Sequence, residues 1–144
     1  MIVRNFTAMQ KNVLKIIIHR AAADVFDFLL NPENSPKWLD GFVEERTNEL
    51  PVKLGTVFEN RGDANPDDPN DVLWNRYTVS HYDYGREFEF NGNNYKVRYV
   101  LKPLGNGADF ATEMTITEWT LDGGDLPDPM TIAPFEKLKR LMEE

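Results

Sequence analysis

The chain of 144 residues has no cysteine, only two histidines and no long apolar run. The absence of cysteine excludes disulfides, thiolate metal ligands and cysteine nucleophiles. Because no stretch approaches the roughly 18 apolar residues that cross a bilayer, we expect no membrane insertion. Residues 1–12 contain no continuous apolar segment, so we also expect no signal peptide and a cytoplasmic location.

Positive charge is also scarce, with 24 acidic against 16 basic residues and a formal net charge of −8. Such a surface repels phosphate backbones, so we expect no nucleic-acid partner. With His19 and His81 as the only histidines, and no HxxxH spacing, we expect no metal site. No phosphate loop, dinucleotide fingerprint or GxSxG motif occurs, so no cofactor is predicted.

Length and composition predict one domain spanning residues 1–144, as a monomer or a homodimer. Hydrophobic residues make up 41% of the chain and aromatic residues 12%, which is ordinary for a globular protein. In the segment Asp63–Asp71, Asp63, Asn65 and Asp67 offer oxygen ligands at alternate positions, as in a calcium loop, but Asp68 stands where such a loop requires glycine. We therefore predict a solvated acidic loop there. Whether this loop also covers a pocket as a flap stays open.

The order of predicted elements is a strand, two short helices, a series of strands and a final helix. Residues 13–19 are rich in β-branched side chains, and apolar residues recur at helical spacing over 21–30, with one further helical turn near 35–39. Strands are predicted at 42–49, 56–60, 72–82, 86–91, 95–101 and 110–121. The final helix has two candidate N-caps, Asp128 and Thr131.

Turn chemistry predicts the strand register. A two-residue turn at positions 92 and 93 places Phe90 opposite Tyr95 and Phe88 opposite Val97, with glutamates facing basic residues on the other side. A turn at 106–107 places Tyr99 opposite Met114 and Val97 opposite Ile116 on the last strand, and a turn at 83–84 extends the pattern to the preceding strand. The residues then predicted to face inward are Leu73, Asn75, Tyr77, Val79 and His81 on one strand, and Phe110, Thr112, Met114, Ile116 and Glu118 on the last.

This order of elements resembles the START-like, polyketide-cyclase/birch-pollen-allergen superfamily. The residues that carry the resemblance are IIIHRAAADVFDFLLN, PENSPKW, GTVFENRG and FEKLKRLMEE. The chain is most similar to the polyketide cyclase/dehydrase and lipid-transport branch. The resemblance implies an α+β helix-grip fold: a seven-stranded antiparallel curved sheet wrapped around the C-terminal helix, with two short helices after the first strand. It also implies an apolar ligand between sheet and helix.

The residues predicted to line this pocket combine aromatic and aliphatic side chains. They are Trp38, Tyr77, Val79, Phe88, Phe90, Tyr95, Val97, Tyr99, Met114, Ile116, Phe135 and Leu138. Large aromatic residues also serve as core residues, and this alternative stays open for each of them. The tyrosine hydroxyls could orient a polar group of the ligand.

Three functions remain open. The first is binding, or transport, of a small hydrophobic or aromatic molecule. The second is a cyclase or dehydratase reaction in which His81 and Glu118 act as acid and base, with a solvated histidine and a rim glutamate as the structural alternative. The third is a protein-interaction module of the chaperone-activator kind.

Overall fold

The computed structural model describes residues 10–62, 70, 73–105 and 110–144. The predicted elements are present, with ends that differ from the prediction by a few residues. In chain order they are β1 (Lys11–Ile18), α1 (Ala22–Leu29), α2 (Ser35–Trp38), β2 (Glu44–Thr47), β3 (Val57–Arg61), β4 (Asn75–Asp83), β5 (Glu87–Gly92), β6 (Tyr95–Leu104), β7 (Ala111–Trp119) and α3 (Ala133–Glu143).

The strands form one seven-stranded sheet in the order β1-β7-β6-β5-β4-β3-β2. Every neighbouring pair is antiparallel. From β2 to β7 each strand pairs with the next one along the chain, and β1 pairs with β7. The sheet is curved, and the helices lie on its inner face. This arrangement confirms the predicted α+β helix-grip fold.

The core lies between the inner face of the sheet and the helices. Phe26 of α1 is 1% exposed and contacts the rings of Phe88, Tyr82 and Tyr84 edge-on, with ring centroids 5.2 to 5.5 Å apart. From α3, Phe135 contributes a fully buried ring to the same core. Because such a core is packed closely, truncation of Phe26 to alanine is expected to cost about 3–5 kcal/mol.

The β5–β6 register differs from the prediction by two residues. Phe90 pairs with Val97 and Phe88 with Tyr99, because the turn lies after Gly92 and not at it. Asn94 supplies the positive φ, at 51°. A shift of two residues keeps each side chain on its predicted face, since the side-chain period of a strand is two.

The β6–β7 pair shows the same shift. Tyr99 faces Ile116 and Val97 faces Glu118, where Met114 and Ile116 were predicted as their partners. The faces of these strands are nevertheless as predicted. The predicted turn at 106–107 lies outside the described residues.

A β-bulge between Val79 and His81 changes the facing of β4. Val79 points into the core and is 1% exposed, whereas beyond the bulge Tyr82 is the residue that packs against the core. The inward prediction for His81 is therefore wrong, because one extra residue exchanges the two faces. Leu73 and Phe110 were also predicted inward, yet they are exposed, since each precedes the first residue of its strand.

The start of α3 also differs from the prediction. The helix begins at Ala133 after Ile132, without a side-chain cap, so neither Asp128 nor Thr131 is its N-cap. Pro134 occupies the first turn, where its missing N–H costs no hydrogen bond. Because the helix begins later than predicted, the preceding segment, residues 126–130, can form part of a cavity wall.

The far end of α3 is fixed to β1 by polar contacts. Oε2 of Glu143 accepts hydrogen bonds from the backbone N–H of His19 at 2.8 Å and from Nζ of Lys139 at 2.7 Å. Arg20 Nη1 donates to the carbonyl of Met142 at 2.8 Å. These contacts hold the helix across the inner face of the sheet.

Candidate ligand-binding cavity

A cavity of about 450 Å³ opens on the inner face of the sheet. Its walls come from α1, α2, strands β2 to β7 and the segment 126–130. Pro127 and Asp128 are its exposed lining residues, so we take their side as its mouth. The volume lies within the range of roughly 300–1,000 Å³ that is usual for small-molecule sites.

Seven of the predicted pocket residues line this cavity. They are Trp38, Tyr77, Phe88, Phe90, Tyr95, Val97 and Tyr99. The other five, Val79, Met114, Ile116, Phe135 and Leu138, are buried in the core outside the cavity wall.

The cavity does not lie where we predicted it. We expected it between the sheet and the C-terminal helix, but no residue of α3 lines it. The ring of Phe135 packs at 5.4 Å from Trp38 and 6.4 Å from Tyr99, between ring centroids, and so fills the space under the helix. The cavity therefore lies under α2 and the segment 126–130.

Packed aromatic rings make the wall rigid. Phe88 stacks on Tyr99 with ring centroids 4.7 Å apart, and Phe58 meets Phe90 edge-on at 5.0 Å. The ring of Tyr77 lies directly over the backbone of Gly92, where a Cβ atom would approach Cε1 of Tyr77 to 2.6 Å. Glycine at position 92 is thus required for Tyr77 to occupy its place in the wall.

Glu118 is a buried carboxyl in this wall, only 2% exposed. Its Oε1 accepts a hydrogen bond from the hydroxyl of Tyr95 at 2.8 Å. Its Oε2 accepts from Nδ2 of Asn12 at 2.7 Å and from the backbone N–H of Met130. Three donors satisfy most of the acceptor capacity of this carboxyl, and they join β1, β6 and the segment 126–130.

Glu45 is a second carboxyl in the same cavity, and it was not among the predicted site residues. Ser35 Oγ donates a hydrogen bond to its Oε1, and Asn60 bonds to the same carboxyl. Burial raises the pKa of Glu45 to about 7, against the opposing effect of these two hydrogen bonds. The group therefore changes its charge near neutral pH.

Tyr99 is influenced by both carboxyls. Burial raises its pKa above the usual range, and the negative charges of Glu45 and Glu118 raise it further. Neither Tyr99 nor Tyr77 has a hydrogen bond from its hydroxyl to any residue in the described part of the chain. The cavity thus contains polar groups without partners beside an aromatic wall.

The structure does not bring His81 and Glu118 together. Beyond the bulge, Nε2 of His81 lies 2.6 Å from Oε1 of Glu87, on the outer face near Arg98. Glu118 faces the cavity on the opposite side of the sheet. The predicted acid–base pair is therefore not assembled, and Glu45 is a second carboxyl that shares the cavity with Glu118.

A register for the β2–β3 hairpin could have identified Glu45. Phe58 marks the inner face of β3, and alternation then turns Asn60 inward. Glu45 is the residue opposite Asn60. The sequence of β2, EERT, has no apolar residue that would mark its inner face.

Of the other large aromatic residues, one lines the cavity and two do not. Phe42 lines the cavity together with Trp38. The guanidinium of Arg46 lies over the ring of Trp74, with 3.7 Å between Cζ and the ring centroid. Nζ of Lys96 lies 5.7 Å from the ring centroid of Trp119. Neither tryptophan lines the cavity. The predicted flap, residues 63–71, lies outside the described residues except for Asn70.

Across residues 10–62, 70, 73–105 and 110–144, no three histidine, aspartate or glutamate side chains are grouped so as to hold a metal ion. Within the same ranges, no helix has the length and apolarity needed to cross a membrane.

Comparison with protein families gives a match over almost the whole chain. A family model described as "Polyketide cyclase / dehydrase and lipid transport" matches residues 9–143. None of the curated proteins matches the chain by sequence.

Solved structures with a similar fold are distant in sequence. Protein NE0264 from Nitrosomonas europaea is 14% identical with a TM-score of 0.67, and the match covers 93% of this chain and 94% of that one. A START superfamily protein from Mycobacterium smegmatis is 10% identical with a TM-score of 0.63, covering 92% and 97%. Ara h 8.0201 is 13% identical with a TM-score of 0.59, also covering 92% and 97%. At these identities the likeness concerns the fold alone.

Proposed function

The chain belongs to the polyketide cyclase / dehydrase and lipid transport family, and we propose that it binds a small apolar or aromatic molecule in the cavity. The observation that carries the proposal is the aromatic-walled cavity of about 450 Å³ that reaches the surface beside Asp128. A volume of this size suits a molecule of about two or three fused rings. The hydroxyls of Tyr77 and Tyr99, which have no hydrogen-bond partner in the described part of the chain, give such a ligand points of orientation.

A fluorescent apolar probe tests this proposal. N-phenylnaphthylamine gains fluorescence when it leaves water for an apolar site, and we expect a saturable gain with this protein. Val97→Trp fills part of the cavity and should abolish the gain, because Val97 is 5% exposed and lines the wall. Val100→Trp is the matched control, since Val100 lies on the outer face of the same strand.

A second variant that fills the cavity keeps the test decisive if Val97→Trp does not fold. Leu39→Trp places the added ring on a half-buried part of the wall, where it disturbs the core less. Thermal unfolding of each variant establishes that it is folded. Equal probe binding by the wild type, Val97→Trp and Leu39→Trp would overturn the proposal.

A second candidate function is dehydration or cyclisation of a carbonyl compound in the same cavity. The observation that favours it is the presence of two carboxyls in different surroundings, because such pairs supply an acid and a base. In this candidate Glu45 donates a proton to the leaving hydroxyl and Glu118 receives the proton from the carbon next to the carbonyl. Water leaves, and the carbon–carbon double bond forms.

The dehydration of a β-hydroxy ketone carrying a phenyl ring, followed by ultraviolet absorbance, tests this candidate. We expect the rate to fall as the pH rises above about 7, where Glu45 loses its proton. Glu45→Gln should abolish the reaction, whereas Glu44→Gln should preserve it, because Glu44 points away from the cavity and pairs with Arg61. An unchanged rate in Glu45→Gln would rule the candidate out.

A further inference from the structure

Among the described residues, the lining of the cavity has acidic groups and no basic group. Its described lining includes Glu45, Glu118 and Asp128, and none of these lining residues is lysine, arginine or histidine. The basic residues nearest along β6, Lys96 and Arg98, pair with Glu89 on the outer face of the sheet. Low-dielectric walls strengthen the field of such groups, and the net charge of −8 has the same sign.

The carboxyls of Glu45 and Glu118 differ in how many further hydrogen bonds they can accept. Three donors occupy Glu118, whereas the described partners of Glu45 are Ser35 and Asn60. A carboxylate offers about four acceptor positions. Glu45 is therefore the group with room for a further donor from a ligand.

The groups around Glu45 suit a cation more than an anion. Aromatic faces attract ammonium groups, with a gain of about 0.5–2 kcal/mol per ring when water is excluded. Phe42, Phe58 and Tyr77 line the same cavity as Glu45. A ligand carboxylate would instead meet Glu45, Glu118 and Asp128 with no cation to compensate its charge.

We propose, on the basis of the cavity-binding function above, that the ligand is an amine on an aromatic or apolar body, bound with its ammonium against Glu45. The same arrangement excludes carboxylates such as fatty acids. Asp128, exposed at the mouth, attracts the cation on its way in.

Binding of the amine is linked to the charge of Glu45. An ammonium beside Glu45 favours its ionised form and so opposes the effect of burial. The other titratable groups that face the cavity are Tyr77 from β4, Tyr95 and Tyr99 from β6, Glu118 from β7 and Asp128. The pKa values of the three tyrosines are raised, so these hydroxyls stay neutral between about pH 6 and 8. The affinity for the amine should therefore rise over this interval as Glu45 becomes ionised.

Three ligands of nearly equal size test the proposal: naphthylmethylamine, naphthylmethanol and naphthoate. We expect calorimetry at about pH 7.5 to give an affinity for the amine about tenfold above that for the alcohol, and no binding of naphthoate. Glu45→Gln should remove the preference for the amine and leave the alcohol unaffected. Glu44→Gln, at the neighbouring position on the other face, should change neither affinity.

The outcomes separate this proposal from the cavity-binding function. Equal or stronger binding of the alcohol or of naphthoate would overturn the preference for amines while the cavity function stands. The proposed preference is also overturned if the Glu45→Gln variant still binds the amine more tightly than the alcohol. It is overturned as well if none of the three ligands binds while N-phenylnaphthylamine still does. Failure of that probe as well would overturn both proposals.

Discussion

Glu45 and Asn60 face each other across the β2–β3 ladder, and both side chains line the cavity. Asn60 is 3% exposed and bonds to the carboxyl of Glu45. This pair therefore brings a titratable group into a wall that is mostly aromatic and aliphatic.

The charge of Glu45 makes stability depend on pH. Its pKa is about 7 in the folded protein and 4.5 in the absence of the fold, so the folded state binds the proton more tightly. The free energy of unfolding should fall as the pH rises from about 4.5 to 7, by up to about 3 kcal/mol. Glu45→Gln should remove this decline in denaturant titrations at several pH values.

Glu44→Gln is the control for that series, because its carboxyl lies on the other face of β2 and pairs with Arg61 at 2.9 Å. Its stability should follow the wild type across the interval. If the difference between Glu45→Gln and the wild type stays constant with pH, burial does not shift the titration of Glu45 as described.

Removal of the Glu118 carboxyl should strongly destabilise the protein. Glu118→Ala removes the acceptor of the Tyr95 hydroxyl and of the Met130 N–H, and one of the two acceptors of Asn12 Nδ2. We expect a loss of about 2–4 kcal/mol in chemical denaturation. Glu118→Gln retains an acceptor and should lose less than half as much.

Glu113→Ala on the outer face of β7 is the matched control for Glu118→Ala and should cost less than about 0.5 kcal/mol. A cost for Glu118→Ala no larger than for Glu113→Ala would mean that the three hydrogen bonds do not hold the wall.

Gly92→Ala should displace the ring of Tyr77. The added Cβ would lie 2.6 Å from Cε1 and 2.7 Å from Cδ1 of that ring, so the ring must move. We expect a loss of stability of about 1–2 kcal/mol and a change in affinity for naphthylmethanol. Gly41→Ala serves as the control, because a Cβ there meets no atom within 4 Å. Unaltered affinity in Gly92→Ala would remove Tyr77 from the binding wall.

The contact between α3 and β1 should weaken in acid. Burial opposes ionisation of Glu143, but Lys139 and His19 hold the pKa of Glu143 down to about 2. Because this pKa is depressed, the stabilisation is present above about pH 4.5 and is lost as the pH falls towards 2. Glu143→Gln should cost about 1 kcal/mol at neutral pH, a value reduced by solvent screening, and nothing at about pH 2. A cost independent of pH would contradict the ionic origin of the contact.

Much of the fold followed from patterns in the sequence. Apolar alternation assigned the inner faces of β5, β6 and β7, and the assignments survived a register that was wrong by two residues. The position of the β5–β6 turn depends on the positive φ of Asn94, and Gly92 and Asn93 offered an equally suitable turn. Local propensity does not distinguish these two turns.

The site was harder to predict than the fold. The bulge between Val79 and His81 reversed the facing of the histidine, and bulges leave no clear trace in a sequence of alternating polar and apolar residues. Glu45 lies in a strand without apolar residues, so its facing depends on the strand opposite. Seven of the twelve predicted residues, six of them aromatic, line the cavity, because large side chains on the inner face of a sheet pack towards the interior.

The central claim is that the cavity is the binding site, and intermolecular NOEs test it most directly. With isotope-labelled protein and naphthylmethanol, we predict NOEs from the ring protons of the ligand to the methyl groups of Leu39, Val97 and Leu126, which line the cavity. NOEs confined to outer methyl groups such as those of Val100 or Leu54, or saturating ligand without any NOE to the cavity methyl groups, would contradict the account.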